Sequence, residues 1–187
     1  MSETELALEA HRLARPCILL KRTGSPDRLA GVWGGPGVVG VRPGPFRHWL
    51  SLDCQFLAAG LAPPTGVLSI YSNEDDCVSG VVAFDPAASI VASSGSGLYA
   101  YLSTSLPPPD ALPGGDTEEY MRLWQSNCPL YTGEAAAVLG GWHFPWPDGD
   151  WEALRQESLL VWTLDDSEPW IEVWRQADGY RVIQRIT

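Results

Sequence analysis

Residues 140–151 read GGWHFPWPDGDW and bring three tryptophans, one histidine and two aspartates into twelve positions. Trp142, His143, Trp146, Asp148 and Asp150 are the densest collection of aromatic and polar side chains in the chain. Aromatic faces with a few convergent polar groups make a ligand platform. The same rings rimmed by charge make an anchor for a protein partner. A second such region follows, where Asp165, Asp166 and Glu168 precede Trp170 and Trp174. Together these ten residues are the expected binding set.

Catalytic and metal chemistry are poorly represented. Three histidines exist, His11, His48 and His143, and no G-x-S-x-G, H-E-x-x-H or S-x-x-K occurs. A Cys54–His143 pair is conceivable only if the fold joins them, and an inward-facing Cys54 argues against a reactive thiolate. Asp148, Asp150 and Glu152 alternate as at the start of a calcium loop. The glycine, however, is at the second loop position and Leu159 holds the twelfth, where an EF-hand needs glutamate. Glu74, Asp75 and Asp76 are consecutive and point different ways, which suits a solvated turn better than a cation site. GVWGGPGVVG, residues 31–40, lacks the G-K-[ST] ending of a phosphate loop, and Pro36 removes a backbone donor. The four cysteines form no C-x-x-C and read as reduced thiols. No metal and no cofactor is expected.

Charge narrows the partner. The net charge is −11, which opposes nucleic acid and anionic membranes and suits a basic protein partner. No apolar run approaches the ~20 residues that cross a bilayer, and the N-terminus has no apolar signal core. The chain reads as cytoplasmic. Lys21 is the only lysine against many arginines, alanines, glycines and prolines, a bias expected of GC-rich, bacterial coding. In size and charge the chain is similar to the immunity and inhibitor proteins that neutralise toxins. The expected function is therefore a non-catalytic binding protein for a basic partner, with an acidic, tryptophan-rich surface. The alternative is a small-ligand or carbohydrate-binding module, or a hydrolase, built on residues 142–151.

The elements that must position these residues are mostly strands. A helix is expected over 4–15, with Leu6, Ala10 and Leu13 as its apolar stripe, and a strand over 17–21. Residues 23–46 are rich in glycine and proline and read as loop with one brief strand at 38–41. The clearest strand is 48–57, where Leu50, Leu52, Cys54 and Phe56 alternate with Ser51, Asp53 and Gln55. Further strands are expected at 66–72, 78–84, 89–93 and 98–103. Residues 107–116 read as a proline-stiffened linker, and two subdomains flanking it are an option beside the single domain that the length favours. Helices are expected at 117–125 and 133–140. Strands follow at 158–166, 168–175 and 180–186, the last two joined by an Asp178-Gly179 hairpin turn. The fold class is α+β: a mostly antiparallel β-sheet with an N-terminal helix and a few short helices. In the hairpin, Glu172 lies between Trp170 and Trp174, so that face is either wet or supplies Glu172 with a cation, Arg181 or Arg185.

Overall fold

In the computed structural model, residues 3–41, 44–76, 78–91, 95–115, 117–142, 158–163 and 170–185 are described. Among the described residues the chain is mostly antiparallel β-sheet with two α-helices, and the sheet dominates. Helix α1 (Glu3–Arg12) leads into β1 (Arg15–Lys21), followed by β2 (Leu29–Trp33), β3 (Phe46–Asp53), β4 (Val67–Asn73), β5 (Gly80–Asp85) and β6 (Ser96–Ser105). Helix α2 (Glu118–Asn127) precedes β7 (Ala137–Gly140), β8 (Ser158–Thr163), β9 (Trp170–Gln176) and β10 (Gly179–Arg185).

All ten strands join one sheet in the order β10-β9-β8-β7-β1-β6-β2-β3-β4-β5. Its two outer strands come back toward each other, so the sheet is nearly a closed barrel. At the seam the Gln184 N–H donates to the Val78 carbonyl at 3.0 Å, and the Gln184 amide donates to the Asn73 and Ser79 carbonyls. Register shifts at Leu29/Gly31, His48/Leu50 and Leu159/Val161 bend the strands, the usual way a flat ladder acquires closing curvature. No described helix is long and apolar enough to cross a membrane.

Two apolar layers follow from strand alternation. The inner face buries Leu20, Leu50, Leu52, Leu68, Ile70, Leu98, Val161, Ile171, Val173 and Val182, which fill the sheet interior. The outer face of β1, β7, β8 and β9 presents Cys17, Leu19, Val138, Trp162 and Trp174 to the two helices. Helix α1 meets this layer through Leu6 and Ala10, one turn apart, with Leu13 beyond them. In α2 the Thr117 hydroxyl accepts the Tyr120 N–H at 3.2 Å as N-cap, and Tyr120 and Trp124 share the buried face.

Several sequence expectations change. Val38 and Val39 form bends and no strand covers 38–41; the strand lies earlier, at Leu29–Trp33, inside the glycine-rich stretch. The strand expected over 48–57 stops at Asp53. There the carboxylate accepts the Gln55 N–H at 3.0 Å and starts a 3-10 turn, Cys54–Phe56, which ends the period of two. Residues 89–91 are not a strand. The helix expected at 133–140 is instead β7, because the neighbouring edge of β1 takes its backbone: the Ala136 N–H donates to the Leu20 carbonyl at 2.8 Å. Tertiary pairing overrides the helix propensity of its alanines. Residues 107–109 are buried, Leu106 and Leu112 enter the outer core, and strands from both sides of this segment flank β1. The hairpin forms as expected, with Gly179 opposite Gln176 and Val182 opposite Val173.

Candidate functional site

The densest polar constellation among the described residues was not apparent from the sequence. It lies on the outer face of β3 and β4. A strict period of two would put His48 and Ser51 on opposite faces. The register shift between His48 and Leu50 inserts one residue and brings both to the outer face, opposite Tyr71 and Ser69 respectively. Residues 34–41 fold back over them. Gly37 makes this possible: its φ is +82°, and a Cβ there would lie 2.3 Å from the Tyr71 hydroxyl and 2.9 Å from His48 Cδ2.

With the imidazole neutral, the hydrogen bonds assign every proton. His48 Nδ1 is 2.9 Å from the Gly34 carbonyl, which only accepts, so Nδ1 carries the hydrogen. His48 Nε2 is then an acceptor and takes the Ser51 hydroxyl hydrogen at 2.8 Å. Ser51 Oγ lies 2.6 Å from Ser69 Oγ and accepts from it, since its own hydrogen is engaged. The Val38 N–H donates to Ser51 Oγ at 3.3 Å and the Val39 N–H to Ser69 Oγ at 2.9 Å. The Tyr71 hydroxyl donates to the Val39 carbonyl at 2.6 Å. Burial pushes the His48 imidazole below its ordinary value of 6.5, opposed by the Gly34 carbonyl, and burial raises the Tyr71 phenol.

A serine hydroxyl on an imidazole nitrogen is the pairing that activates a nucleophile. Here Ser51 and Ser69 are fully buried and His48 nearly so. In the closed arrangement the network therefore fastens residues 34–41 to the sheet, and the imidazole is held neutral to do it.

Of the expected binding set, Trp142 is half-buried and tied inward. Its N–H donates to Ser105 Oγ and its Nε1–H to the Leu13 carbonyl, both at 2.9 Å, while the Arg15 guanidinium stacks 3.4 Å above the ring. His143, Trp146, Asp148, Asp150, Asp165, Asp166 and Glu168 lie outside the described residues, as does the His143 half of the Cys54–His143 pair. The side chain of Trp170 does too, although its backbone starts β9.

Trp174 corrects one expectation. It is 4% exposed, in the outer core beside Trp162, and so is not displayed at the surface. Its Nε1–H donates to Glu172 Oε2 at 3.3 Å, and Glu172 is 1% exposed. The hairpin face is dry because the outer core covers it. Ile183 stands directly opposite Glu172, with Arg181 and Arg185 one diagonal away, opposite Trp174 and Trp170. Ile171, Val173 and Val182 face the inner core, as expected.

The acidic turn is self-contained. Asp76 accepts from the N–H groups of Val78 and Ser79, both at 3.0 Å, and from the Ser79 hydroxyl, which foremost lowers its pKa. Among the described residues no group of three or more His, Cys, Asp or Glu could hold a metal ion. Cys17, Cys54 and Cys128 are free, buried thiols. Burial pushes Cys17 and Cys54 up to about 11 and raises Cys128.

No protein-family model matches the chain, and no curated protein or solved structure matches it.

Proposed function

We propose that this is a soluble, non-catalytic binding protein of the bacterial cytoplasm, of the immunity or inhibitor kind, that takes a basic protein partner. One observation carries the reading. Within a chain of net charge −11, the described cations are largely occupied inside the molecule. Arg12 pairs with Glu9 and Lys21 with Glu134, both at 2.6 Å, and Arg122 pairs with Glu118. Arg15 stacks on Trp142, Arg28 lies over Tyr101 and donates to the Ala100 carbonyl, and Arg175 donates to the Gly179 carbonyl. Carboxylates at Glu74, Asp75, Asp76, Glu119 and Asp178 are meanwhile exposed. The field seen by an approaching molecule is negative, which attracts and orients a cationic surface. Trp146, Asp148, Asp150, Asp165, Asp166 and Glu168 are the proposed anchors and rim.

The test is the association rate with a partner recovered by affinity capture, measured by stopped flow across ionic strength. Steering predicts a fall of about tenfold or more from low to high salt. A rate that does not move with salt refutes the reading.

A further inference from the structure

We infer that residues 34–41 are an acid-released strap, fastened over the outer face of β3 and β4 by a neutral His48 and loosened by proton uptake at that side chain. The hydrogen bonds themselves require this. In the closed network each hydrogen has one acceptor: His48 Nδ1–H the Gly34 carbonyl, Ser51 O–H the His48 Nε2, Ser69 O–H the Ser51 Oγ. A proton on Nε2 turns that acceptor into a donor. Ser51 Oγ then faces Nε2–H, Ser69 O–H and Val38 N–H together, and must send its own hydrogen elsewhere. Ser69 Oγ is the acceptor within reach, but it already receives the Val39 N–H, and its own hydrogen is displaced with no acceptor left in the network. Protonation therefore places a charge and an orphaned hydroxyl hydrogen in a buried site. Lifting Val38 and Val39 away admits water and relieves both.

Among the described residues no neighbouring carboxylate compensates the charge, and the backbone groups of Gly34, Gly35 and Leu50, which favour it, are outweighed by burial. From β4 the groups facing His48 are the Ser69 hydroxyl and the Tyr71 ring, whose centroid is 5.2 Å from the imidazole. Tyr71 is neutral throughout the relevant range, since burial raises its phenol and its hydroxyl donates to Val39. Residues 34–39 offer backbone groups and apolar or glycine side chains. On β3 itself the adjacent Arg47 is exposed, and its positive charge adds no relief. Burial already lowers the imidazole below 6.5 in the closed form. A group whose closed-state pKa is depressed holds the closed state fully above its ordinary value and loses it as the pH falls. Neutral pH thus closes the strap, and mild acid uncovers His48, Ser51, Ser69 and Tyr71.

Amide hydrogen exchange of the full chain, resolved at Val38 and Val39, reads this directly. Protection factors at these two amides are expected to fall between pH 7.5 and 5, by about tenfold for each unit separating the closed and open pKa values. Amides at Leu50 and Leu52 are expected to keep theirs. His48→Gln retains an acceptor for Ser51 and cannot titrate, so its protection at Val38 and Val39 is expected to be independent of pH. Unchanged protection in the native protein, or an equal fall in His48→Gln, overturns the proposal. Should that variant fail to fold, the imidazole is titrated by NMR in the native protein, and a pKa at or above 6.5 overturns it equally.

Discussion

Ser51→Ala separates the sequence expectation for β3 from its structure. By alternation alone, Ser51 belongs to the polar, half-wet side of a strand whose other side carries Leu50 and Leu52. A surface substitution of that kind changes stability by no more than about 0.5 kcal/mol. The structure makes Ser51 fully buried and the centre of three hydrogen bonds, to His48 Nε2, Ser69 Oγ and Val38 N–H. Deleting its oxygen leaves the imidazole nitrogen without a donor and the Ser69 hydroxyl and Val38 amide without an acceptor. Each orphaned buried group costs about 1–3 kcal/mol, and the long Val38 contact belongs at the low end. A total of about 3–7 kcal/mol is expected, a large part of a typical domain's stability. Urea unfolding at pH 7.5 measures it, with an unchanged denaturant slope, since the surface exposed on unfolding hardly changes. A double-mutant cycle with His48→Phe, which removes the acceptor that the Ser51 hydroxyl uses, should show a coupling of about 0.5–3 kcal/mol, because the two side chains share one bond. A loss below about 0.5 kcal/mol for Ser51→Ala would mean that this face is open to water, and the strap argument would fall with it.

Leu52→Ala empties a fully buried position on the inner face and is expected to cost about 2–5 kcal/mol by lost transfer energy plus cavity; a loss below about 1 kcal/mol in the same urea series would place the side chain outside the core. In a Cys77→Ser background, Cys17, Cys54 and Cys128 are expected to resist a thiol reagent at pH 8 in the folded protein. With Cys17 and Cys54 pushed from 9.0 to about 11, their thiolate population falls about a hundredfold. Rapid stoichiometric labelling without denaturant would contradict that burial.

Much of the fold was legible where one local rule acts alone. The stripe of Leu6, Ala10 and Leu13 wrote α1, Thr117 with Tyr120 and Trp124 wrote α2, and Asp178-Gly179 between two alternating runs wrote the β9–β10 hairpin. These signals are short-range: a cap, a periodicity, a turn. Errors arose where a distant strand decided the outcome. β7 is a strand because the edge of β1 needs hydrogen bonds, although its alanines favour a helix. β2 hides among glycines because its partners, β3 and β6, come from elsewhere in the chain.

The same division holds for the site. Amino-acid types alone determined the charge of −11 and the absence of a recognised catalytic motif. Tertiary structure decided which side chains lie at the surface. Trp174, one of the expected anchors, is withdrawn into the outer core, and Trp142 is pinned to Leu13, Ser105 and Arg15. His48 and Ser51 became neighbours through a single inserted residue in β3, roofed by a turn that only glycine at position 37 permits. A register shift exchanges the faces of every residue beyond it, and its position depends on the partner strand, which no local pattern in β3 records.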